Sequence, residues 1–482
     1  MKSIYIQTIP SEKFALLTEG QNIQQFSVDR SINQTLVGNI YLGRVARIDH
    51  GLQSAFIDIG HKKLGFLSKK ELPASRRDSS KGIEHIIHEG MSIIVQVMKD
   101  PYGNKGPTVT ANITLPGHYL IYLPNSDYLA FSKKILGAKK EQIQQYWKNW
   151  EMDKEGAIIR TSALFASEEQ LKKEWHYLKE KWLLLRNNSA AKKAPTLLFE
   201  DPVIPNRFLR KFASLQIEEI VFDEVEVAQE MKEEYPHLAN RIRWSRRLEQ
   251  ELPMSIDTLI NQVTSNRVKL QSGVEIIIEK TEALTVIDVN TASYIGKQSK
   301  EETIVKTNIL AAKEIARELR LRNLSGIILI DFIDMKQKQN QALLLEEMSK
   351  LLQEDPTFTQ IHGFTSLGIL EMTRKREGLD SFSLFSNKDT RQSDLEVAYQ
   401  LERELLRYRH KDTDAFLVEL DPTVYEMFVQ YIQLDKLKNQ LKTPVFIEKK
   451  TLENRKYVIK FIGDVNWLKR LETNGNTLDK LF

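Results

Sequence analysis

Two short apolar runs, "LTVIDVN" (284–290) and "GIILID" (326–331), each carry an aspartate at or near the end, and a long amphipathic stretch separates them. In that stretch Ile304, Ala311, Ile315 and Leu319 recur at helical spacing. Ser299 and Glu302 read as the capping box at its start. Strand, helix and strand follow in this order, and if the two strands are parallel the crossover is right-handed. Both carboxylates, Asp288 and Asp331, then emerge at one edge of the sheet, where α/β sheets place their ligands. A carboxylate beside so apolar a run costs free energy unless it is paired, hydrogen-bonded or bound to a metal. Two readings follow. Either backbone amides hold a pair of buried aspartates, or the pair shares a divalent cation. Mg²⁺ fits the second, because it takes oxygen ligands and is commonly held by one or two carboxylates plus substrate phosphate. Asn290 falls on the same side of an extended chain as Asp288 and is placed to donate a hydrogen bond to a phosphate oxygen.

The N-terminal third has a different texture. Residues 1–33 contain short β-rich runs. From Asn39 the pattern "NIYLGRVARID", "SAFIDIG", "LGFLSKKEL" and "SIIVQVMKD" predicts a small barrel. Basic residues (Arg44, Arg47, Lys62, Lys63) alternate there with Tyr41, Phe56 and Phe66. An OB-type barrel that stacks bases on aromatics and tracks phosphates with cations has this look. Phe56 and Phe66 serve equally well as barrel core on the sequence alone. The polar insertion holding His85 and His88 ("HIIH") reads as solvated loop or short helix rather than a metal site. "NNSAAKKAPT" (187–196) is the best linker candidate.

The 482 residues exceed what one core can serve, so several domains are expected. No run approaches the ~20 apolar residues of a membrane span, and the N-terminus lacks signal-peptide character. Both features suggest the cytoplasm. Cysteine is absent, which excludes disulfides and cysteine-ligated zinc. A net charge of +4 suits nucleic-acid binding only if it is concentrated locally.

The stretches "TEALTVIDVN", "ETIVKTNILAAKEIARELRLRNLSGIILIDFIDM" and "GFTSLGILEMTRKR" resemble the catalytic core of the ribonuclease E/G family. "YLGRVARIDHGLQSAFIDIG", "HKKLGFLSKKEL" and "GNKGP" resemble that family's S1 RNA-binding domain, and "GAIIRTSA" resembles its 5′-monophosphate sensor. The resemblance implies a multidomain α+β fold. An RNase H-like subdomain (1–35 and 206–263) would carry an inserted S1 barrel of OB type (36–106) and a 5′-sensor domain (107–205). A DNase I-like catalytic subdomain (264–385) and a small C-terminal α/β domain (386–482) would follow, with no long disordered tail. It further implies that Asp288 and Asp331 bind catalytic Mg²⁺ and that Asn290 works at the scissile phosphate. Phe56, Phe66 and Lys105 would grip RNA, and Gly117, Ile121, Arg160 and Thr161 would form the 5′-phosphate pocket. Asp334 lies near the site with a weaker match.

Two departures stand out. The family's Cys-Pro-x-x-Cys zinc link is missing from "EGLDSFSLFSNKDTRQSDLE", so no zinc is expected and any homodimer is not zinc-bridged. Phe358 and Lys133 occupy positions where the family sends arginines to the sensor, which predicts weak 5′-end dependence. The expected activity is a Mg²⁺-dependent endoribonuclease that cuts single-stranded RNA to leave 5′-phosphate and 3′-hydroxyl ends, acting on rRNA precursors and mRNA. The rival is a non-catalytic S1-domain RNA-binding protein, which the intact aspartate pair disfavours. The S1-like barrel disfavours a DNA nuclease, and the lack of a histidine pair disfavours a metal-free ribonuclease.

Overall fold

The computed structural model describes residues 2–77, 80–150, 155–213, 216–270, 273–291, 300–386, 393–411, 414–452, 455–462 and 479–482. Two compact units make up the chain. The first combines residues 1–33, 217–231 and 241–482, and the second combines 34–216 and 232–240.

Among the described residues, the first unit holds three sheets. The N-terminal meander Lys2–Gln7, Lys13–Glu19 and Asn22–Asp29 is antiparallel, and Ile217–Phe222 and Ile242–Trp244 extend it in parallel from its first strand. The second sheet has six strands in the order Arg267–Lys269, Val274–Lys280, Leu284–Thr291, Gly326–Asp331, Ile369–Arg374, Thr359–Phe364. One pairing in it is parallel, Leu284–Thr291 with Gly326–Asp331, and the helix Lys300–Leu321 makes the crossover. Ser299, the expected cap of that helix, lies outside the described residues. The apolar run alternates. Ile328 and Ile330 sit in the core with Ile287 and Val289, against Ala311, Ala312, Ile315 and Leu319 of the helix. Ile327 is half exposed and Asp331 exposed, on the opposite face. The helices Lys300–Leu321 and Lys338–Gln353 cover one face of the sheet, and among the described residues the aspartate face is half-buried to exposed. The third sheet, Tyr457–Ile462, Phe416–Leu420, Val445–Lys449 and Asp479–Lys480, packs against Asp394–Leu406 and Pro422–Tyr431.

A buried ring of charges ties the N-terminal sheet to the helix Asp394–Leu406. Arg30 contacts Glu12 and Glu396. Arg403 closes the ring on the same two carboxylates at 2.6 and 2.7 Å and reaches Asp257 at 2.9 Å. Phe385 and Tyr399 stack on Arg30, each 4.9 Å from the guanidinium carbon. Next to the ring, Glu402 accepts from the Ser11 hydroxyl at 2.7 Å and from the Ser11 amide.

In the second unit the strands Ile40–Asp49, Ser54–Asp58, Gly65–Ser68, Thr108–Thr110 and Ser92–Lys99 close on themselves, last to first. The mixed α+β multidomain architecture and this five-strand barrel, consistent with an S1/OB-like fold, are as the sequence suggested. Val45, Ile57, Leu67, Val95, Val97 and Val109 fill the barrel. The insertion around "HIIH" contains a 3₁₀ turn, Ile83–His85. Ile83 and Ile87 anchor it in the barrel core while His85 and His88 face solvent. The remaining sheet, Leu115–Pro116, Leu120–Leu123, Gly156–Ile159 and Leu129–Phe131, packs on Gly137–Asn149 and Glu168–Ala190 through Tyr122, Trp147 and Trp175. The expected linker 187–196 is corrected here. Its first residues finish the helix Glu168–Ala190, and Thr196 begins a strand, Thr196–Phe199, paired with Ile40–Asp49. Polar composition there marks a solvated helix end rather than a free tether.

The charge ring yields a stability prediction. Arg403→Leu leaves Glu12 and Glu396 buried with half their partners. Breaking a buried ion pair from one side costs about 3–5 kcal/mol, so denaturant unfolding should shift to a markedly lower midpoint. An unchanged midpoint would show that water already satisfies the carboxylates.

Candidate active site

Parallel pairing sets Asp288 directly opposite Asp331, and antiparallel pairing sets Asp331 opposite Ile369. Residues opposite one another across paired strands present their side chains on the same face. That is the half-buried to exposed face. Partial desolvation, then the charges of Asp288 and Asp334, push the Asp331 carboxyl above the ordinary aspartate range. Asn290 donates its amide to Asp288 Oδ2 at 2.6 Å, which leaves its second N–H available to another acceptor. Asp334 is exposed in the loop that follows Asp331.

Asn308 holds that loop, a role not read from the sequence. It is fully buried on the crossover helix. Its amide donates to the Ile333 carbonyl at 2.8 Å, and its carbonyl accepts from the Ile333 amide at 3.1 Å. Glu301 secures the next stretch by accepting from the Lys336 amide and the Asn340 side chain. The one signal in the sequence is a polar residue on an otherwise apolar helix face, "KTNILAA".

On the barrel, Phe56 and Phe66 pair across adjacent strands with ring centroids 6.0 Å apart, edge to face. Both are half-buried, whereas their neighbours Ala55, Ile57 and Leu67 are wholly inside. The rings therefore lie on the outer wall and not in the core, and the Arg47 guanidinium sits 4.5 Å over Phe56. Lys105 is exposed at a hairpin tip, where its backbone exchanges hydrogen bonds with Tyr102. Lys63 ties the tip down by donating to the Gly103 carbonyl.

Ile121 lies on the strand Leu120–Leu123, Gly117 follows Leu115–Pro116, and Arg160 and Thr161 follow Gly156–Ile159, Thr161 opening a 3₁₀ turn. Arg160 donates to the Gly117 carbonyl at 2.6 Å and to the Arg210 carbonyl at 3.1 Å. Its guanidinium holds backbone rather than forming a surface ion pair. Thr161 shares a 2.7 Å hydrogen bond with Ser132, and Ile121 pairs with Ile158 and Pro116. Glu174 accepts three backbone amides, His118, Tyr119 and Leu120, at 2.6–2.9 Å. A Cβ on Gly117 would come within 2.6 Å of that carboxylate, so a larger residue there would have to displace Glu174 from the amides it holds. The sequence hides Glu174 in a charged helix that reads as solvated. Lys133 and Phe358 are both exposed.

A family model for the ribonuclease E/G family matches residues 114–377. Ribonuclease G of Haemophilus influenzae is 33% identical over 449 residues, 88% of this chain and 91% of that protein. Ribonuclease G of Escherichia coli is 32% identical over 446 residues, with the same coverage. The chain belongs to the ribonuclease E/G family. Membership makes it a ribonuclease and hence a hydrolase. Ribonuclease E of a Synechocystis species is 34% identical over 380 residues, 75% of this chain but 55% of that longer protein. Among the described residues, no helix is long and apolar enough to cross a membrane.

Asn308→Ala strips two backbone partners from Ile333. Each unsatisfied buried group costs roughly 1–3 kcal/mol, so the protein should lose stability on that scale, read by denaturant titration. Asn308→Asp, which keeps the acceptor but not the donor, should fall between. Wild-type stability in the alanine variant would refute the clamp.

Proposed function

We propose that this chain is an endoribonuclease that cuts single-stranded RNA at Asp288 and Asp331 with Mg²⁺ as cofactor. The observation that carries the reading is the direct register of these two carboxylates on one face of the sheet, in a chain of this family. The donors fit the ion. They are all oxygen, and partial desolvation followed by repulsion from Asp288 and Asp334 raises the Asp331 carboxyl, the kind of repulsion a shared cation relieves. Among the described residues no group of three or more histidine, aspartate, glutamate or cysteine side chains is placed to hold a metal. A pair suffices for Mg²⁺, which keeps several waters and takes further oxygens from a phosphate. When bound, the ion stabilises charge on the phosphate and makes water a better nucleophile.

The protein's own residues do the rest. Asp288 and Asp331 fix where the phosphodiester sits, and Asn290 keeps Asp288 oriented and offers a donor to a phosphate oxygen. Water attacks phosphorus, the bond to the 3′ oxygen breaks, and that oxygen takes a proton. The products carry a 5′-phosphate and a 3′-hydroxyl. Phe56 and Phe66 stack bases, and Lys105 contacts the backbone. Cytoplasmic processing of rRNA precursors and turnover of mRNA are the duties this reading suggests. Any homodimer is held without zinc.

Asp288→Asn and Asp331→Asn should each abolish cleavage of a labelled single-stranded RNA and leave binding largely intact. Omitting Mg²⁺ should do the same to the unmutated protein. Near-normal cutting by either variant sinks the assignment, and binding without cutting by the unmutated protein would favour a non-catalytic RNA-binding role.

Phe56→Ala and Phe66→Ala should keep the fold and weaken RNA binding by ~1–3 kcal/mol, the worth of a stacked base. Unchanged affinity in folded variants would remove the rings from the RNA path.

A 5′-monophosphorylated RNA should be cut modestly faster than its 5′-hydroxyl twin. The factor is small because Phe358 and Lys133 replace arginines and Arg160 already spends donors on backbone. Arg160→Ala should erase the difference, and equal rates with the unmutated protein would withdraw the sensor.

A further inference from the structure

We propose that Leu367 sets cut-site preference by packing against a nucleobase next to the phosphodiester held at Asp288 and Asp331. The inference rests on the endoribonuclease reading and names a contact which that reading lacks. Leu367 is 81% exposed. A leucine this exposed adds almost nothing to folding. It sits in the turn 365–368 between the strands Thr359–Phe364 and Ile369–Arg374. The register Asp288, Asp331, Ile369 across three adjacent strands brings that turn to the edge that carries the carboxylates.

The turn is closed rather than loose. Thr365 accepts from the amides of Leu367 and Ile369, both at 3.2 Å, through its hydroxyl. Its own amide bonds the Ile369 carbonyl at 2.8 Å, and the Gly368 amide bonds the Thr365 carbonyl at 3.1 Å. Gly368 has φ +86°, and a Cβ there would lie 3.9 Å from Asp334 Oδ1. The backbone of the turn that carries Leu367 is thus closed, and the next residue, Gly368, lies beside Asp334.

A phosphodiester bound at the two aspartates brings a nucleoside on either side of it. Of the parts of RNA, only the base presents an apolar surface, its face. Leucine is among the side chains that wedge against or between bases. The aspartates recognise the phosphate alike in every sequence, so an apolar contact beside them discriminates by base size and ease of unstacking.

The test uses the full-length protein with Mg²⁺. Cut positions are mapped along one long unstructured RNA, and KM and kcat are measured on a short one, for the unmutated protein, Leu367→Ala and Leu367→Phe. Leu367→Ala should raise KM by about four- to fifteenfold, the worth of one or two buried methylenes, with kcat little changed and the cut positions redistributed. Leu367→Phe should restore or lower KM and bring out its own pattern. Both variants should melt like the parent. Identical cut patterns and KM in all three proteins would overturn the proposal while leaving the endoribonuclease reading intact. Failure of the unmutated protein to cut RNA would overturn both.

Discussion

Two strands that run the same way cannot be joined by a tight turn. Pairing Leu284–Thr291 with Gly326–Asp331 therefore demands a crossover, and the helix Lys300–Leu321 supplies it. Its Ala311, Ala312 and Ala316 let the helix lie close on the sheet, with Ile315 and Leu319 filling the gaps. The geometry then brings two like charges about 5 Å apart at the backbone, the spacing of adjacent strands. Among the described residues, Asn290 donates to Asp288. The two carboxylates lie on the half-buried to exposed face, where water, a cation or a phosphate can compensate them. The same helix, through Asn308 and Glu301, holds the loop that carries Asp334. One packing decision thus covers the back of the site and shapes its rim.

Elsewhere in the same unit the charges are treated in the opposite way. Glu12, Arg30, Glu396 and Arg403 are buried and mutually paired, each arginine touching both glutamates. Such a ring gains little over well-packed apolar residues, since desolvation consumes most of the attraction. What it does is fix geometry. Arg403 meets Glu12 across 391 positions of sequence, and the alternation of sign leaves one arrangement in which every charge is answered. The half-buried to exposed acids at the sheet edge contrast with the buried, ion-paired ones in the ring.

In the second unit, the barrel separates aromatic duties by face. Alternate residues of a strand point in opposite directions, so Ala55, Ile57 and Leu67 close the barrel while Phe56 and Phe66 remain outside. Arg47 over Phe56 continues that outer strip. Arg160 illustrates a different economy, with its guanidinium gripping two carbonyls and so organising the strand and turn around Gly117.

The sequence by itself determined the local pieces. The unbroken apolar run in "GIILID" and the helical spacing in the stretch before it are written into neighbouring residues, and from them the strand, helix, strand order and the two strand-end carboxylates could be read. The short strands after Asn39 likewise declared a barrel. Only the tertiary structure decided what depends on partners far along the chain. Which wall Phe56 and Phe66 occupy, what Arg160 holds, that Glu174 receives three amides and that Asn308 grips Ile333 are pairings between distant segments. Side-chain type constrains such pairings weakly. The supposed linker at 187–196 failed for the same reason, because a polar, small-residue stretch is compatible with both a tether and a solvated helix end. Packing against the Ile40–Asp49 strand, not composition, made the choice.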